Sequence, residues 1–247
     1  MSAKQYFYPE TAAGGFSRVD GTVSFYARIN ALLRPEMTVL DFGAGRGKGV
    51  QDDAVPYRRE LVLLRGKCRR VIGIDVDDAV RENPGLDEAH VIAPGADLPL
   101  ETASVDIIVS DNTFEHITDP APVARELDRV LKPGGWICAR TPNRWGYIAL
   151  GASLVPNSMH VALLRHLQPD RKAIDVFPTA YRLNTRGALR RHFPPMRYDH
   201  CSYRHYAEPA YFADSKPLWA LMLLIFRLTP PALAPTWMIF LRKRPLP

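Results

Sequence analysis

The sequence is short of cysteine and has no long apolar run. Its three cysteines, Cys68, Cys138 and Cys201, are an odd number at unrelated spacings, which argues against a disulfide framework and favours a reducing cytoplasm. The amino terminus has no apolar stretch of the kind found in signal peptides. The most apolar segment, 218–228, is about half as long as the roughly 20 residues that a membrane-spanning helix requires. We therefore expect a cytoplasmic protein, with peripheral contact to a membrane as the alternative.

Charge of one sign is not concentrated anywhere. Lysine and arginine number 32 against 26 aspartate and glutamate, a net charge of +6, with small basic clusters at 69–70, 190–191 and 242–244. A basic stripe or an appended RNA-binding module would indicate a nucleic-acid partner, and neither is found. The scattered bases predict a solvated surface, with a phosphate-bearing or anionic-lipid partner as the alternative. Spacing typical of paired metal ligands is also missing, so we expect no metal site among His160, His166, His192, His200, His205 and Cys201.

The sequence does contain a short apolar run, Val39 to Phe42, followed by glycines at positions 43, 45, 47 and 49. An apolar run that stops at alternating glycines predicts a buried strand, a tight turn and a helix. In an open α/β sheet the crevice after the first strand binds a nucleotide-like cofactor. Asp75 ends the next apolar run, where a carboxylate accepts hydrogen bonds from ribose hydroxyls; a turn-capping role is the alternative.

Strands and helices alternate through the first 141 residues, which predicts a parallel sheet with crossover connections. The 32 residues between Gly43 and Asp75 exceed the usual spacing of about 20, so we expect an insertion at 48–56. Periodicity predicts helices at 16–33, 57–64 and 122–131, and strands at 39–42, 71–75, 104–110 and 136–139.

Further polar residues lie where the predicted strands end. Asp97 occupies a turn before the strand at 104–110, where a carboxylate could accept the adenine amino group, and Asp111 to Ile117 follow that strand. His116 is the best-placed candidate for a catalytic base, with a packing or capping role as the alternative. Glu115 is expected to cap a helix N-terminus.

Periodicity weakens beyond Arg140, where prolines and aromatic residues are frequent. We expect substrate-covering material here, with one short helix at 185–193. Tyr181 and Arg182 are candidates to line a substrate pocket, although a packed aromatic surface accounts for them equally well. The apolar run 218–228 predicts a buried helix that leads to a last strand at 236–241, and a surface that docks on a membrane or a lipid-linked substrate is the alternative.

Five motifs in order over residues 37–141 resemble the class I S-adenosylmethionine-dependent methyltransferases, specifically the methyltransferase type 11 group: VLDFGAGRGKG, GIDVD, GADLPL, VDIIVSDNTFEHI and LDRVLKPGGW. The resemblance implies an α/β fold, a doubly wound three-layer sheet of seven mostly parallel strands whose last strand is antiparallel. It implies one domain over residues 1–247, made of a helical cover (1–36), a cofactor-binding half (37–141), a substrate-covering region (142–235) and a closing strand (236–244).

The resemblance also assigns cofactor contacts. The glycine loop, with Asp41, would surround the methionine moiety of S-adenosylmethionine, and the acid after the second strand would bind the ribose. Asp97 and Leu98 would contact the adenine, and Ser110 and Asp111 would line the inner edge of the cofactor. Family members carry an apolar residue where this chain has Asn112. The full set implied is Asp41, Gly43, Ala44, Gly45, Gly47, Asp75, Val76, Asp97, Leu98, Ser110 and Asp111.

These features predict an enzyme that transfers a methyl group from S-adenosylmethionine to a small-molecule acceptor and releases S-adenosylhomocysteine. An oxygen of a saccharide, of a lipid-linked glycan or of a secondary metabolite is the favoured acceptor. A methyltransferase for nucleic acid or protein, a nicotinamide-dependent oxidoreductase and a non-catalytic binding module are the alternatives. The sequence leaves open the acceptor and the oligomeric state.

Overall fold

The computed structural model describes residues 1–147, 178–209 and 214–245. Eight strands form one sheet in the order β3-β2-β1-β4-β5-β8-β6, and β7 also pairs with β8. The strands are β1 Thr38–Phe42, β2 Arg70–Asp75, β3 Glu88–Val91, β4 Val105–Asp111, β5 Leu131–Pro142, β6 Tyr198–His200, β7 Tyr203–His205 and β8 Thr236–Lys243.

The first five strands are parallel, and β8 runs antiparallel to β5. The α/β class and the antiparallel direction of the closing strand are therefore confirmed. The sheet differs from the expected seven strands because two three-residue strands, β6 and β7, both pair antiparallel with β8. Strands of three residues are too short to show the alternation of apolar and polar residues from which strands are predicted. The edge strand β3 also escapes a sequence pattern, since the Glu88–Val91 segment is only half-buried and mixes polar with apolar residues.

Seven α-helices lie within the described residues. They are α1 Ala3–Phe7, α2 Gly21–Leu32, α3 Lys48–Gln51, α4 Pro56–Val62, α5 Pro120–Val130, α6 Arg186–His192 and α7 Lys216–Leu228. Side-chain caps explain several starts. Asp20 accepts hydrogen bonds from the amides of Thr22 and Val23, which begins α2 five residues later than predicted, and Thr185 begins α6 by accepting from Ala188.

Two apolar cores cover the two faces of the sheet. One core joins the sheet to α5 and α6 through residues such as Leu127 and Leu189. The other joins it to α2 and α4 through residues such as Phe25, Ile29 and Leu61. Helices on both faces of a mostly parallel sheet make a three-layer fold, and such sheets place ligands at the carboxyl ends of their strands.

The helix predicted over 218–228 is present as α7, but the prediction that it is buried is wrong. Only Trp219 and Met222 of α7 are buried. Trp219 packs against α1, with Phe7 stacked on it at 6.4 Å between ring centroids. Apolar composition predicted the helix, but it does not show how many of its faces find a partner. Among the described residues, no helix is long and apolar enough to cross a bilayer.

Candidate functional site

A cleft of about 1700 Å³ opens at the carboxyl ends of β1, β2 and β4. Its walls are the glycine loop after β1, the polar segment after β4 and the insertion at 48–56. Arg58 holds that insertion in place, because its guanidinium binds Asp53 through two nitrogens and Asp20, the N-cap of α2, through the third, at 2.7–2.8 Å. The cleft lies where the sheet topology and the glycine motif both predicted it.

Two glycines of the loop, Gly43 and Gly47, are required by close approaches of the chain. Gly43 has a φ of 78°, and a Cβ built on it would lie 2.1 Å from the hydroxyl oxygen of Thr113. Gly47 has a φ of 77°, and its Cβ would lie 2.3 Å from the side-chain oxygen of Asn83. Gly45 also has a positive φ, of 50°, but nothing lies within 4 Å of its Cβ position. The middle glycine therefore leaves space in the cleft, whereas the other two permit packing of the protein.

Asn83 forms hydrogen bonds with the backbone of the glycine loop, and this role was not predicted from the sequence. Its amide nitrogen donates to the carbonyls of Ala44 and Gly45 at 3.0 and 3.2 Å. Its amide oxygen accepts from the backbone of Gly85 at 2.9 Å. The loop conformation is thus fixed by a side chain about 40 positions away in the sequence.

Asp75 lies at the end of β2 and faces the same loop. One carboxylate oxygen accepts the amide of Gly45 at 2.8 Å, and the other accepts the amide of Asp77 at 2.9 Å. Both predicted roles of Asp75 are compatible with this geometry, because each carboxylate oxygen retains a second lone pair. Its neighbour Val76 lines the cleft and is 49% exposed.

Three carboxylates, those of Asp41, Asp75 and Asp111, line the cleft together. Burial, together with the charges of Asp111 and Asp75, raises the pKa of Asp41 to about 7. The same burial, with the charges of Asp111 and Asp41, raises the pKa of Tyr26 well above its ordinary value. Asp111 of this cluster pairs with Arg140, and the negative charge of the other two carboxylates favours a cationic ligand.

Arg140, near the end of β5, holds one member of the cluster and was missed by sequence reasoning. Its Nε and Nη2 donate to the two carboxylate oxygens of Asp111 at 2.7 and 2.6 Å, and its Nη1 donates to the hydroxyl of Thr22 at 3.0 Å. The guanidinium also lies over the ring of Phe25, 5.5 Å from its centroid. A bidentate pair fixes the orientation of Asp111. An arginine in an apolar strand gives no local signal of a partner 29 residues earlier.

Glu115 is buried beside this group, so the prediction that it caps a helix N-terminus is wrong. Only 5% of the residue is exposed, and its carboxylate accepts the Thr141 hydroxyl at 2.7 Å. The side-chain amide of Asn184 donates to the same hydroxyl oxygen at 2.6 Å. Burial raises the pKa of Glu115 to about 7. The residue lines the cleft as a carboxyl group that titrates near neutral pH.

His116 lines the cleft next to Glu115. Its Nδ1 lies 2.7 Å from the carbonyl oxygen of Pro178. A carbonyl accepts but cannot donate, so Nδ1 carries the proton of the neutral ring and Nε2 is the basic nitrogen. The contact therefore fixes which nitrogen of the neutral ring carries the proton.

Five predicted site residues do not line the main cleft. Asp97 is exposed, and the amide of Leu98 donates to Glu126 at 2.8 Å while its side chain packs in the core. The Ser110 hydroxyl is buried without a hydrogen-bond partner among the described residues. The other two are Tyr181, whose backbone amide donates to the Glu115 carbonyl, and Arg182, which is exposed. Residues 148–177 and 210–213 of the predicted substrate-covering region lie outside the described residues.

Comparison with known proteins gives a family for the segment that builds the cleft. Residues 40–139 match the family model described as a methyltransferase domain, Methyltransf_11. A probable S-adenosylmethionine-dependent methyltransferase of Mycolicibacterium smegmatis is 40% identical over 111 residues, which are 43% of this chain and 38% of that protein. The chain thus spans about two fifths of the length of the curated relatives that it matches first.

Relatives with named reactions match a similar length of the chain. A ubiquinone biosynthesis O-methyltransferase of Leptothrix cholodnii is 29% identical over 108 residues, 44% of this chain and 45% of that protein. A sarcosine/dimethylglycine N-methyltransferase of Halorhodospira halochloris is 29% identical over 116 residues, 46% of this chain and 40% of that protein. Both oxygen and nitrogen acceptors therefore occur among the relatives.

The fold agrees over almost the whole chain with solved structures. An S-adenosylmethionine-dependent methyltransferase of Methanosarcina mazei superposes with a TM-score of 0.53 and 19% identity, and the match covers 89% of this chain and 98% of that one. At this identity the likeness establishes the fold.

Proposed function

We propose that this chain, whose residues 40–139 are a class I S-adenosylmethionine-dependent methyltransferase domain, is an enzyme that methylates a small-molecule acceptor. The favoured acceptor atom is an oxygen of a saccharide, a lipid-linked glycan or a secondary metabolite. The observation that carries the proposal is the carboxylate cluster beside an open glycine, Gly45, because S-adenosylmethionine is cationic and needs backbone within contact distance.

The residues present fit the methyl donor. Asp75 lines the cleft, and each of its carboxylate oxygens retains a lone pair that can accept a ribose hydroxyl. Its bond to the Gly45 amide holds the loop against it. Asp41 and Asp111 offer negative charge for the cationic end of the donor, with Arg140 holding Asp111 in one orientation. S-adenosylmethionine supplies an already activated sulfonium methyl group. Asp97, Leu98 and Ser110 stay predictions as cofactor contacts.

The protein's own contribution to methyl transfer is alignment and removal of a proton. Alignment of two reactants in one cleft supplies roughly 7–11 kcal/mol of a barrier. A hydroxyl acceptor also loses its proton, and Nε2 of His116 is the base that the Pro178 contact prepares. Glu115 is the second candidate, since its pKa near 7 lets it accept a proton at neutral pH. Tyr181 and Arg182 remain candidates for binding the acceptor.

Thermal melting with added nucleotides tests the cofactor directly. We expect S-adenosylmethionine and S-adenosylhomocysteine each to raise the melting temperature, because ligand that binds only the folded state stabilises it by mass action. NAD at the same concentration serves as the matched control and should produce no shift. A shift with NAD and none with either methyl-donor ligand would contradict the proposal.

The acceptor is identified by screening hydroxylated and amino compounds for release of S-adenosylhomocysteine. With an oxygen acceptor, His116→Ala should lower turnover by about 10²–10⁴-fold while leaving affinity for the methyl donor unchanged. Full turnover in that variant would remove His116 from the chemistry. Exclusive turnover of amines would replace the oxygen acceptor by a nitrogen one without changing the cofactor.

A further inference from the structure

One face of α7 is apolar and directed to solvent. Its five aliphatic residues, spaced three and four positions apart, expose between 37% and 76% of their surface: Leu218, Leu221, Leu224, Ile225 and Leu228. That spacing places them on one side of the helix, opposite the buried Trp219 and Met222. An exposed apolar stripe of this kind is unusual on a soluble surface and marks a contact with another partner.

The charged residues within α7 are all cationic, and the acid that precedes the helix, Asp214, accepts the backbone amide of Ala3. Lys216 in the first turn and Arg227 in the last are both exposed, and the helix contains no acid. Trp145 is 52% exposed with the Arg144 guanidinium over its ring, 5.9 Å from the centroid. These two residues follow Asn143, whose amide donates to the carbonyls of 232 and 234 in the connection from α7 to β8.

A second copy of the chain is a poor occupant of this face. A two-fold axis across α7 would bring the same face of two helices together in antiparallel directions. Lys216 of one copy would then lie beside Arg227 of the other, and the helix offers no acid to compensate. Like charges in that arrangement destabilise the contact, whereas an anionic surface complements both of them.

We propose that α7 docks on an anionic lipid surface, lying parallel to the membrane with its leucine stripe in the acyl boundary. Helices of this type combine an apolar face with lysine and arginine at the headgroup level, and aromatic residues such as Trp145 favour the same depth. At 13 residues and 1.5 Å per residue, α7 extends about 20 Å along the surface. The proposal does not depend on methyl transfer.

Docking by α7 has a consequence for the cleft. Thr236, which follows the α7 connection, pairs with Pro142, a residue that lines the cleft. The segment between α7 and β8 therefore abuts the wall of the cleft at the end of β5. A chain attached through α7 holds this wall next to the bilayer, an arrangement suited to an acceptor carried on a lipid.

Vesicle flotation of the full chain tests the proposal. We expect the chain to float with phosphatidylcholine vesicles that contain phosphatidylglycerol, and to float much less with phosphatidylcholine alone. The combined variant Leu221→Ser, Leu224→Ser and Leu228→Ser should lower the bound fraction at least about tenfold, since it removes most of the apolar contact. These residues are exposed in the free chain, so the variant should melt near the wild-type temperature.

A variant without the two cations of α7 distinguishes electrostatic attraction to anionic lipid from non-specific binding to vesicles. Lys216→Gln with Arg227→Gln should lower binding about fivefold for each cation lost and abolish the preference for phosphatidylglycerol. Arg34→Gln with Arg69→Gln removes the same net charge from exposed positions on the loops before β1 and β2, and should bind as the wild type does.

Three results would overturn the proposal. In the first, the wild-type chain shows a melting transition, and is therefore folded, but does not bind anionic vesicles. Alternatively, both α7 variants bind as the wild type does, which assigns membrane contact to another surface. Finally, light scattering shows a dimer that the serine variant converts to a monomer, which makes the face a contact between copies. A melting shift with S-adenosylmethionine in the same preparation reports separately on the proposed function.

Discussion

The cleft and α7 depart from the usual distribution of residues in opposite directions. The cleft gathers carboxylates and an arginine that are mostly removed from water, whereas α7 leaves five aliphatic side chains in contact with it. Buried charge and exposed apolar surface both raise the free energy of the isolated folded chain. Each is retained where a ligand or a partner offsets that cost. The two regions therefore indicate two separate contacts: a cationic small molecule in the cleft and an apolar, anionic surface at α7.

The largest effect on stability is expected from breaking the ion pair between Arg140 and Asp111 in the cleft. Arg140→Met leaves the carboxylate of Asp111 without its bidentate partner, and we expect the free energy of unfolding to fall by about 2–4 kcal/mol. The matched control is Arg244→Met, which breaks an ion pair with Asp199 whose side chains are 50% and 47% exposed. Exposed pairs contribute little, so the control should change stability by less than about 1 kcal/mol. Denaturant unfolding measures both, and equal losses would refute the special role of Arg140.

The next effect concerns ligand affinity. Asp75→Asn should weaken binding of S-adenosylhomocysteine by about tenfold to a hundredfold, because a charged acceptor of ribose hydroxyls contributes about 1–3 kcal/mol. Asp78→Asn is the control, since Asp78 lies three positions away with its side chain 79% exposed. Isothermal titration gives both affinities. Unchanged affinity in a folded Asp75 variant would remove that residue from the site.

The affinity of the cleft for S-adenosylmethionine should depend on pH, which tests the electrostatic account of the cleft. Because the pKa of Asp41 is raised to about 7, its carboxyl is largely neutral at pH 5.5 and ionised at pH 7.5. Affinity for S-adenosylmethionine should rise about tenfold across that interval, as the negative charge develops. Asp41→Asn should flatten the profile. A profile that stays steep in this variant would assign the effect to another group.

Stability should change with pH in the opposite sense. Asp41 and Glu115 both have a higher pKa when folded, about 7, than their ordinary values of 3.8 and 4.5. The folded state therefore holds more protons between about pH 4 and 7, and the stabilisation present at low pH is lost as the pH rises through 7. We expect a loss of about 1–3 kcal/mol from this source, and a smaller loss in Glu115→Gln. The free energy of unfolding of both proteins, measured at pH 5 and pH 8, tests this prediction. Equal stability at the two pH values would contradict it.

The smallest effect is expected at α7. Leu224→Ser should change the free energy of unfolding by less than about 0.5 kcal/mol, because the residue is 52% exposed in the folded chain. Leu127→Ala is the contrast, since Leu127 is fully buried in α5 and its truncation should cost about 2–5 kcal/mol. A large loss at Leu224 would show that the α7 face is packed against the protein itself.

Sequence predicted the elements with strong local signals. The run of apolar residues before the glycine loop, and Asp75 after the next run, predicted the cleft because turn chemistry and strand ends are local properties. Arg140 was missed because its meaning depends on Asp111, which is near only after β4 and β5 pair. Asn83 was missed for the same reason, since its partners are the carbonyls of a distant loop.

The C-terminal region was harder to predict for a different physical reason. The strands β6 and β7 have three residues each and owe their conformation to pairing with β8, not to a pattern of their own. For α7 the apolar composition was evident from the sequence. Which faces of the helix are buried depends on the elements that pack against it, and the sequence does not show these. Glu115 was predicted as a cap because the residues after β4 suggested a helix start. Its carboxylate instead accepts the hydroxyl of Thr141, a residue of β5 that is near only in the folded chain.

A crystal structure of the chain with bound S-adenosylhomocysteine tests the central claim most directly. The account predicts the adenosyl group in the cleft after β1, with the Asp75 carboxylate about 2.6–3.2 Å from the ribose hydroxyls and the amino-acid end beside Asp41. Nucleoside density elsewhere on the protein, or an occupied cleft with Asp75 turned away from the ribose, would contradict it.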